Sequence, residues 1–130
     1  MRPSRMFMLS AIVLSAVALH SVSAQQQGIN RTELQRHDLS IPQREALQVR
    51  VDLEPGVTFP MHSHPGEEII YVLEGVWEYE IEDKGTVTLK AGDVLFIPKG
   101  VKHGAKNVGT VTGSELATYI VEKGKPLVVR

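Results

Sequence analysis

Residues 56–107 constrain this chain more than any other part, because they combine metal-ligand side chains with closely spaced turns. This stretch holds three of the five histidines, His62, His64 and His103, together with Glu68. His62 and His64 are two residues apart, so on an extended strand both side chains point to the same face. Glu68 follows a Pro-Gly turn, and His103 comes from a separate hairpin. In a barrel these four side chains can converge on one point, which predicts a metal site.

Short extended segments separated by turns predict an all-β fold. The segments alternate apolar and polar residues or are continuously apolar, and Gly, Pro or Asp-Lys-Gly turns separate them every eight to ten residues. The predicted strands span 46–53, 57–64, 68–73, 76–82, 86–90, 94–97, 101–107 and 115–122. Six to eight short strands without a convincing helix are typical of an antiparallel sandwich or barrel.

The segment 76–82 shows the clearest alternation. Trp77, Tyr79 and Ile81 share one face, and each is followed by a glutamate on the other face. Such a strand directs its apolar residues into a core and its carboxylates into water. We therefore expect the three glutamates to be solvated and not to form a cation site.

The first 24 residues differ in kind from the rest. Arg2 and Arg5 precede an apolar run at 6–19, and small residues end at Ala24 before a glutamine-rich start. This order predicts a secretory signal peptide at 1–24, cleaved after Ala24, and hence a periplasmic or secreted protein. An uncleaved membrane anchor is the alternative, but the run is shorter than the roughly 20 apolar residues of a spanning helix.

The mature chain divides into an arm and a domain. Residues 25–45 are predicted to be an N-terminal arm, of which 31–42 lie over the domain or over a partner subunit, and residues 46–130 form the β-barrel. His37 in the arm has no second ligand type near it, so we interpret it as a surface residue. The tail at 123–130 either pairs as an edge or frays.

Composition excludes several classes of function. The chain has no cysteine, so no thiolate serves as a nucleophile or metal ligand and no disulfide holds the fold. A formal net charge of -1, without a basic stripe, argues against nucleic-acid binding. The mature chain contains no other long apolar segment that predicts membrane insertion.

Two spaced motifs resemble the signatures of the cupin superfamily. The first comprises Gly56, His62, His64, Glu68 and Gly75, and the second comprises Gly92, Pro98, Gly100, His103 and Asn107, all at the family's spacing. The resemblance implies an antiparallel double-sheet jelly-roll barrel and a metal ion held by His62, His64, Glu68 and His103.

The resemblance also assigns roles to the remaining signature positions. Its glycines suit turns with positive φ, and Asn107 is expected to satisfy backbone groups at a strand end. Glu67 faces away from the site by strand parity, so the ligand role falls to Glu68.

The expected cofactor is one divalent transition metal ion, Fe, Mn, Ni, Cu or Zn, since imidazole and carboxylate ligands suit all of them. The fold leaves the activity open, and three hypotheses follow. The first is a metal-dependent dioxygenase acting on a small organic substrate. The second is a redox-neutral isomerase or decarboxylase that uses the metal as a Lewis acid, with Tyr71, Tyr79, Tyr119 or Lys106 as the acid or base. The third is a non-catalytic protein that binds a metabolite or the metal itself.

Two further expectations concern the barrel interior and its assembly. The residues lining the barrel are expected to be mainly Val, Ile, Phe and Met, which set shape and not chemistry. Small cupins similar to this chain associate through their arms, so we predict a homodimer to which residues 31–42 contribute.

Overall fold

The computed structural model of the chain describes residues 26–130, which form nine β-strands and no helix. The predicted signal peptide at 1–24 lies outside these residues. Among residues 26–130 there is no helical segment able to span a bilayer. The strands are β1 (Ile29–Asp38), β2 (Arg44–Leu53), β3 (Thr58–His62), β4 (Gly66–Glu74), β5 (Val76–Ile81), β6 (Gly85–Lys90), β7 (Val94–Ile97), β8 (His103–Asn107) and β9 (Gly113–Glu122).

The strands form two antiparallel sheets that face each other across one core. The five-stranded sheet has the order β1-β2-β9-β4-β7, and the four-stranded sheet has the order β3-β8-β5-β6. The last strand, β9, therefore lies between β2 and β4, strands that are far from it in the chain. This confirms the predicted double-sheet jelly-roll fold.

The core is built from the inward faces of both sheets. On β5, Trp77, Tyr79 and Ile81 are buried and the glutamates that follow them are exposed, as the alternation predicts. Leu47 and Val49 on β2 face the same core from the opposite sheet. Burying large apolar side chains on both inner faces supplies the main stabilisation of such a sandwich.

The segment predicted as an arm over the domain or over a partner subunit contains an edge strand of the five-stranded sheet. Residues 29–38 form β1 and pair antiparallel with β2 at the edge of the five-stranded sheet. The boundary predicted between 45 and 46 falls inside β2, which begins at Arg44. The sequence did not predict this strand because almost every side chain after Arg31 is exposed, so no alternation marks it.

Close backbone contacts require glycine at both ends of β4. A Cβ on Gly66 would lie 1.9 Å from the backbone oxygen of Ile120 on the neighbouring strand. A Cβ on Gly75, whose φ is 86°, would lie 2.8 Å from Cα of Gly113. The signature glycines at 56, 92 and 100 also have positive φ, which confirms their expected place in turns.

Asn107 ties three segments together at the end of β8. Its Nδ2 donates to the carbonyl oxygens of Leu53 and Val111, both at 2.8 Å, and its Oδ1 accepts from the Gly109 N–H at 2.9 Å. The side chain is fully buried. This confirms the structural role expected for Asn107.

The C-terminal tail returns to the barrel. Ser63 and Val129 exchange backbone hydrogen bonds of 2.9 Å and 3.0 Å. The tail therefore pairs with the segment that carries His62 and His64. Of the two alternatives expected for residues 123–130, the structure shows pairing.

Candidate metal centre

The four predicted ligand side chains meet between the two sheets. His62 ends β3 and is the register partner of His103, the first residue of β8. His64 lies two residues after the end of β3, and Glu68 comes from β4 in the opposite sheet. All four are buried, with exposed fractions of 7% for His62, 3% for His64, 3% for Glu68 and 1% for His103.

Backbone carbonyl groups orient the three imidazoles. Nδ1 of His62 lies 2.7 Å from the Pro60 oxygen, Nδ1 of His64 lies 2.6 Å from the Leu127 oxygen, and Nδ1 of His103 lies 3.0 Å from the Val101 oxygen. A carbonyl oxygen only accepts, so each Nδ1 must carry the proton and donate it. This leaves a lone pair on each Nε2, which is the tautomer of a metal-binding histidine whose other nitrogen is held by the protein.

The ligand nitrogens of the three histidines lie close together. The three histidines offer ligand atoms that all lie within 4.8 Å of one another. Nε2 of His62 is 3.2 Å from Nε2 of His64, and Oε2 of Glu68 is 3.2 Å from Nε2 of His64 and 2.9 Å from Nε2 of His103. Donors that share an ion at about 2.1 Å lie about 3.0 Å apart at a right angle, so these three spacings are those of neighbouring ligands of one ion. Among the described residues, the group in which every ligand atom lies within 4.8 Å of every other consists of the three histidines, and Glu68 adjoins two of them.

Two buried atoms at the centre have no hydrogen-bond partner. Although Oε2 of Glu68 and Nε2 of His103 are only 2.9 Å apart, their orientation does not meet hydrogen-bond geometry, and neither has another partner. Buried polar atoms are almost always paired, and an orphaned pair indicates a missing ligand such as an ion. The donor set of three imidazoles and one carboxylate therefore fits a divalent transition metal.

The environment keeps the donors in forms that can bind a cation. Burial would raise the pKa of Glu68, but the nearby imidazoles of His103 and His64 outweigh it and lower the pKa to about 2. Burial lowers the pKa of His62 to about 4. Burial also lowers the pKa of His103, but the Glu68 carboxylate overcomes that effect and raises it. Near neutral pH, Glu68 is thus ionised and His62 is neutral.

The remaining histidine and the neighbouring carboxylate lie away from the centre. His37 is exposed on β1, as expected for a surface residue. Glu67 is half-buried, and Glu68 beside it is buried, which agrees with the strand parity. Tyr71 on β4 and Lys106 on β8 are exposed on the outer faces of their sheets, so these two acid-base candidates do not reach the centre.

A cavity adjoins the centre inside the barrel. It has about 20 Å³ of space for the centres of water molecules, which is room for about one water. Its walls include three of the four candidate ligands, the aromatic residues Phe59, Trp77, Tyr79 and Tyr119, and also Arg31, Val51, Ala105 and Glu115.

Polar and aromatic cavity residues correct the expectation that the lining is mainly Val, Ile, Phe and Met. Glu115 on β9 is 3% exposed, and its Oε2 accepts a hydrogen bond of 2.5 Å from the Tyr79 hydroxyl. Burial and the charge of Glu68 raise the pKa of Glu115 to about 8. Sequence reasoning missed Glu115, although it alternates with the inward residues Ala117 and Tyr119, and it missed Arg31, which lies in the segment interpreted as an arm.

Family comparison agrees with the fold. The sequence profile of one family, described as the cupin domain, matches residues 49–119, more than half of the chain. The chain is a cupin. This confirms the resemblance seen in the two motifs.

Relatives of this cupin carry several names. It is 36% identical over 89 residues to germin-like protein subfamily 2 member 1 of Arabidopsis thaliana, and the matched region covers 62% of this chain and 41% of the relative. It is 40% identical over 78 residues to the oxalate-binding protein of Thermotoga maritima, which covers 58% of this chain and 62% of the relative. The matched region thus spans less than two thirds of either relative.

Solved structures show the same fold at low sequence identity. A Klebsiella pneumoniae protein with a double-stranded β-helix domain superposes with a TM-score of 0.67 at 20% identity, covering 82% of this cupin and 88% of that chain. A cupin superfamily protein from Desulfitobacterium hafniense superposes with a TM-score of 0.62 at 16% identity, covering 78% and 84%.

Proposed function

We propose that this cupin is a metal-dependent enzyme of the dioxygenase type that acts on a small organic substrate. One divalent transition metal ion would be held by Nε2 of His62, His64 and His103 and by the carboxylate of Glu68. The observation that carries the proposal is the convergence of three Nε2 lone pairs and an orphaned carboxylate oxygen beside a cavity. When bound, a redox-active ion in this ligand set would supply electrons for oxygen chemistry and a positive charge that polarises the substrate.

The residues of the chain prepare the site in three ways. Carbonyl groups of Pro60, Leu127 and Val101 hold the imidazole tautomers, so the protein presents lone pairs and not N–H groups to the ion. Burial of the donors excludes bulk water, which strengthens the electrostatic interactions within the cavity. The aromatic walls restrict the site to a ligand of few atoms.

Non-catalytic binding is the second candidate. The relative from Thermotoga maritima is named an oxalate-binding protein and is 40% identical over the matched region. A binding protein requires the same centre and cavity but no reaction. Substrate-independent metal binding without turnover would favour this candidate.

Redox-neutral catalysis is the third candidate, and Glu115 favours it. An isomerase or decarboxylase needs an acid or base besides the metal. Glu115 is buried in the cavity wall, is hydrogen-bonded to Tyr79, and has a pKa raised to about 8 by burial, so it can hold a transferable proton near neutral pH. Conversion of a carbonyl or carboxylate substrate without oxygen would favour this candidate.

Oxygen uptake by the metal-loaded mature chain separates the three. The protein is loaded separately with Fe, Mn, Ni, Cu and Zn, and oxygen consumption is measured with a panel of enols, catechols and thiols. The dioxygenase proposal predicts substrate-dependent uptake with at least one redox-active metal and none with Zn. Product formation without uptake contradicts it in favour of Lewis-acid catalysis, and tight ligand binding without any product contradicts it in favour of a binding protein.

Export and dimerisation complete the proposal. We propose cleavage after Ala24, for which N-terminal sequencing of the protein from its own compartment should give Gln25.

We also propose a homodimer to which residues 31–42 contribute, since β1 is an edge strand with exposed Leu34 and an exposed Ile41 follows it. A monomeric mass in solution would contradict the dimer.

A further inference from the structure

Arg31 is a cation in the cavity wall that forms no salt bridge within residues 26–130. It lies near the start of β1, where the edge strand still faces the interior. Among the described residues its guanidinium forms no ion pair and no side-chain hydrogen bond, whereas Arg36, Arg44 and Arg50 each pair with a carboxylate. A guanidinium carries five donors in a planar fork that suits a carboxylate. Arg31 is half-buried, so its fork is open to an acceptor that enters the cavity.

Aromatic contacts place this guanidinium close to the candidate metal centre. Its Cζ lies 5.7 Å from the centroid of the Phe59 ring. The Phe59 ring in turn contacts the His62 ring, with a centroid separation of 4.6 Å. The cation–π contact holds the guanidinium on one face of Phe59 without using its hydrogen-bond donors. Arg31 and the centre thus line the same cavity and are separated by one aromatic ring.

Glu115 is the acidic wall residue that Arg31 faces, and the pair forms no salt bridge in the described part of the chain. Its carboxyl group is hydrogen-bonded to Tyr79 instead. Since burial raises the pKa of Glu115 to about 8, the group is largely protonated at neutral pH. The ionised carboxylate that shares the cavity with Arg31 is then Glu68, whose charge a bound metal ion would neutralise.

A bound metal ion would make the cavity more positive. Three neutral imidazoles and one carboxylate leave a net positive charge on a divalent ion, and Arg31 adds a second positive charge at the other side of the cavity. A buried excess of charge is costly unless a counter-ion is bound. An anionic ligand that contacts both the ion and Arg31 balances both charges.

We propose that Arg31 binds the carboxylate group of the ligand and that the substrate class is therefore a small organic acid. This inference rests on the proposed function, because the other end of the ligand would contact the proposed metal ion. Carboxylate is favoured over phosphate because the cavity is small and its single guanidinium offers a planar fork that matches the two coplanar oxygens of a carboxylate group.

Calorimetric titration of the metal-loaded mature chain tests the proposal. The probes are oxalate, malonate and succinate, the uncharged diamide of each, and inorganic phosphate. The variants are Arg31→Gln, which removes the charge, and Arg31→Lys, which keeps the charge without the fork. Arg36→Gln is the matched control, because it removes the same charge from the same strand at an exposed position.

The proposal predicts that at least one dicarboxylate binds the wild type and Arg36→Gln with similar affinity. Arg31→Gln should weaken this binding about ten- to hundredfold, the usual effect of losing a charged hydrogen bond. The affinity of Arg31→Lys should lie between those of the wild type and Arg31→Gln. Equal affinity of Arg31→Gln and wild type overturns the proposal. Tighter binding of phosphate than of every dicarboxylate, or equal binding of the diamides, overturns the assigned class.

Metal content measured on the same samples separates this proposal from the proposed function. One equivalent of metal in all variants, without Arg31-dependent carboxylate binding, overturns the role of Arg31 alone. Arg31-dependent carboxylate binding in a protein that takes up no metal supports Arg31 and contradicts the metal-dependent function. Circular dichroism melting of each variant identifies any that fails to fold, and Arg31→Lys then carries the comparison.

Discussion

Oε2 of Glu68 lies 2.9 Å from Nε2 of His103, so a carboxylate of one sheet meets an imidazole of the other without forming a hydrogen bond. Both atoms are buried and have no other partner. An ion between them would satisfy both atoms and link the two sheets. The metal site is therefore expected to contribute to stability as well as to function, since an ion that binds only the folded state stabilises it.

Glu68→Gln should weaken metal binding at least about tenfold, because even residues that only orient metal ligands contribute tenfold to hundredfold to affinity. The adjacent Glu67→Gln is the matched control and should leave the affinity unchanged, since Glu67 lies on the other side of β4 by strand parity. Competition with a chromophoric chelator measures both constants. A larger loss in Glu67→Gln than in Glu68→Gln would show that the assigned register is wrong.

Deleting residues 127–130 should weaken metal binding about ten- to hundredfold. The deletion removes the Leu127 carbonyl group that fixes the tautomer of His64 at 2.6 Å and the backbone pairing of Ser63 with Val129. Removing Arg130 alone leaves these bonds intact and serves as the control. Unchanged affinity of the longer deletion would mean that the tail does not orient His64.

Glu115→Gln should change how stability depends on pH. The pKa of Glu115 is about 8 in the folded state because of burial and the charge of Glu68, whereas the ordinary pKa of a glutamate is about 4.5. Between these values the folded state holds a proton that the unfolded chain has released, so the contribution of Glu115 falls as pH rises from about 4.5 to about 8. The loss is on the order of a few kcal/mol.

Urea unfolding of the metal-free protein at pH 5 and pH 8 measures this effect. The free energy of unfolding should fall less from pH 5 to pH 8 in Glu115→Gln than in the wild type. Comparing the two proteins cancels the contribution of the histidines to this pH dependence. An identical pH dependence in both would contradict the raised pKa of Glu115.

Gly66→Ala should destabilise the fold by about 1–3 kcal/mol, the usual cost of overpacking. Its Cβ would overlap the backbone oxygen of Ile120, which a neighbouring strand cannot move aside easily. Gly124→Ala is the control, because a Cβ on Gly124 would meet no other atom. The only expected cost is an alanine at positive φ, which destabilises the fold by about 1 kcal/mol. Equal melting temperatures for the two variants would argue against the close contact of β4 and β9.

Local spacing predicted the fold class and the candidate ligands because the relevant information is short-range. His62 and His64 share a face through strand parity alone, and the turns before Glu68 and His103 are marked by glycine and proline. The alternation on β5 likewise identified its core residues correctly. These features depend on residues a few positions apart.

The polar wall of the cavity could not be predicted in the same way, because it depends on pairing between distant strands. Arg31 faces the interior only because β1 pairs with β2, and Glu115 does so only because β9 inserts between β2 and β4. The exposed face of β1 also lacks the alternation that marks a half-buried strand. Non-local register is the information that a single sequence lacks.

Metal content per chain in the double variant His62→Ala/His103→Ala tests the central claim most directly. Elemental analysis should find one equivalent of a divalent transition metal in the loaded wild type and in His37→Ala, whose exposed histidine lies on β1. The double variant should retain far less than one equivalent, since two of the three imidazoles are gone. One full equivalent in the double variant would contradict the assignment of this site.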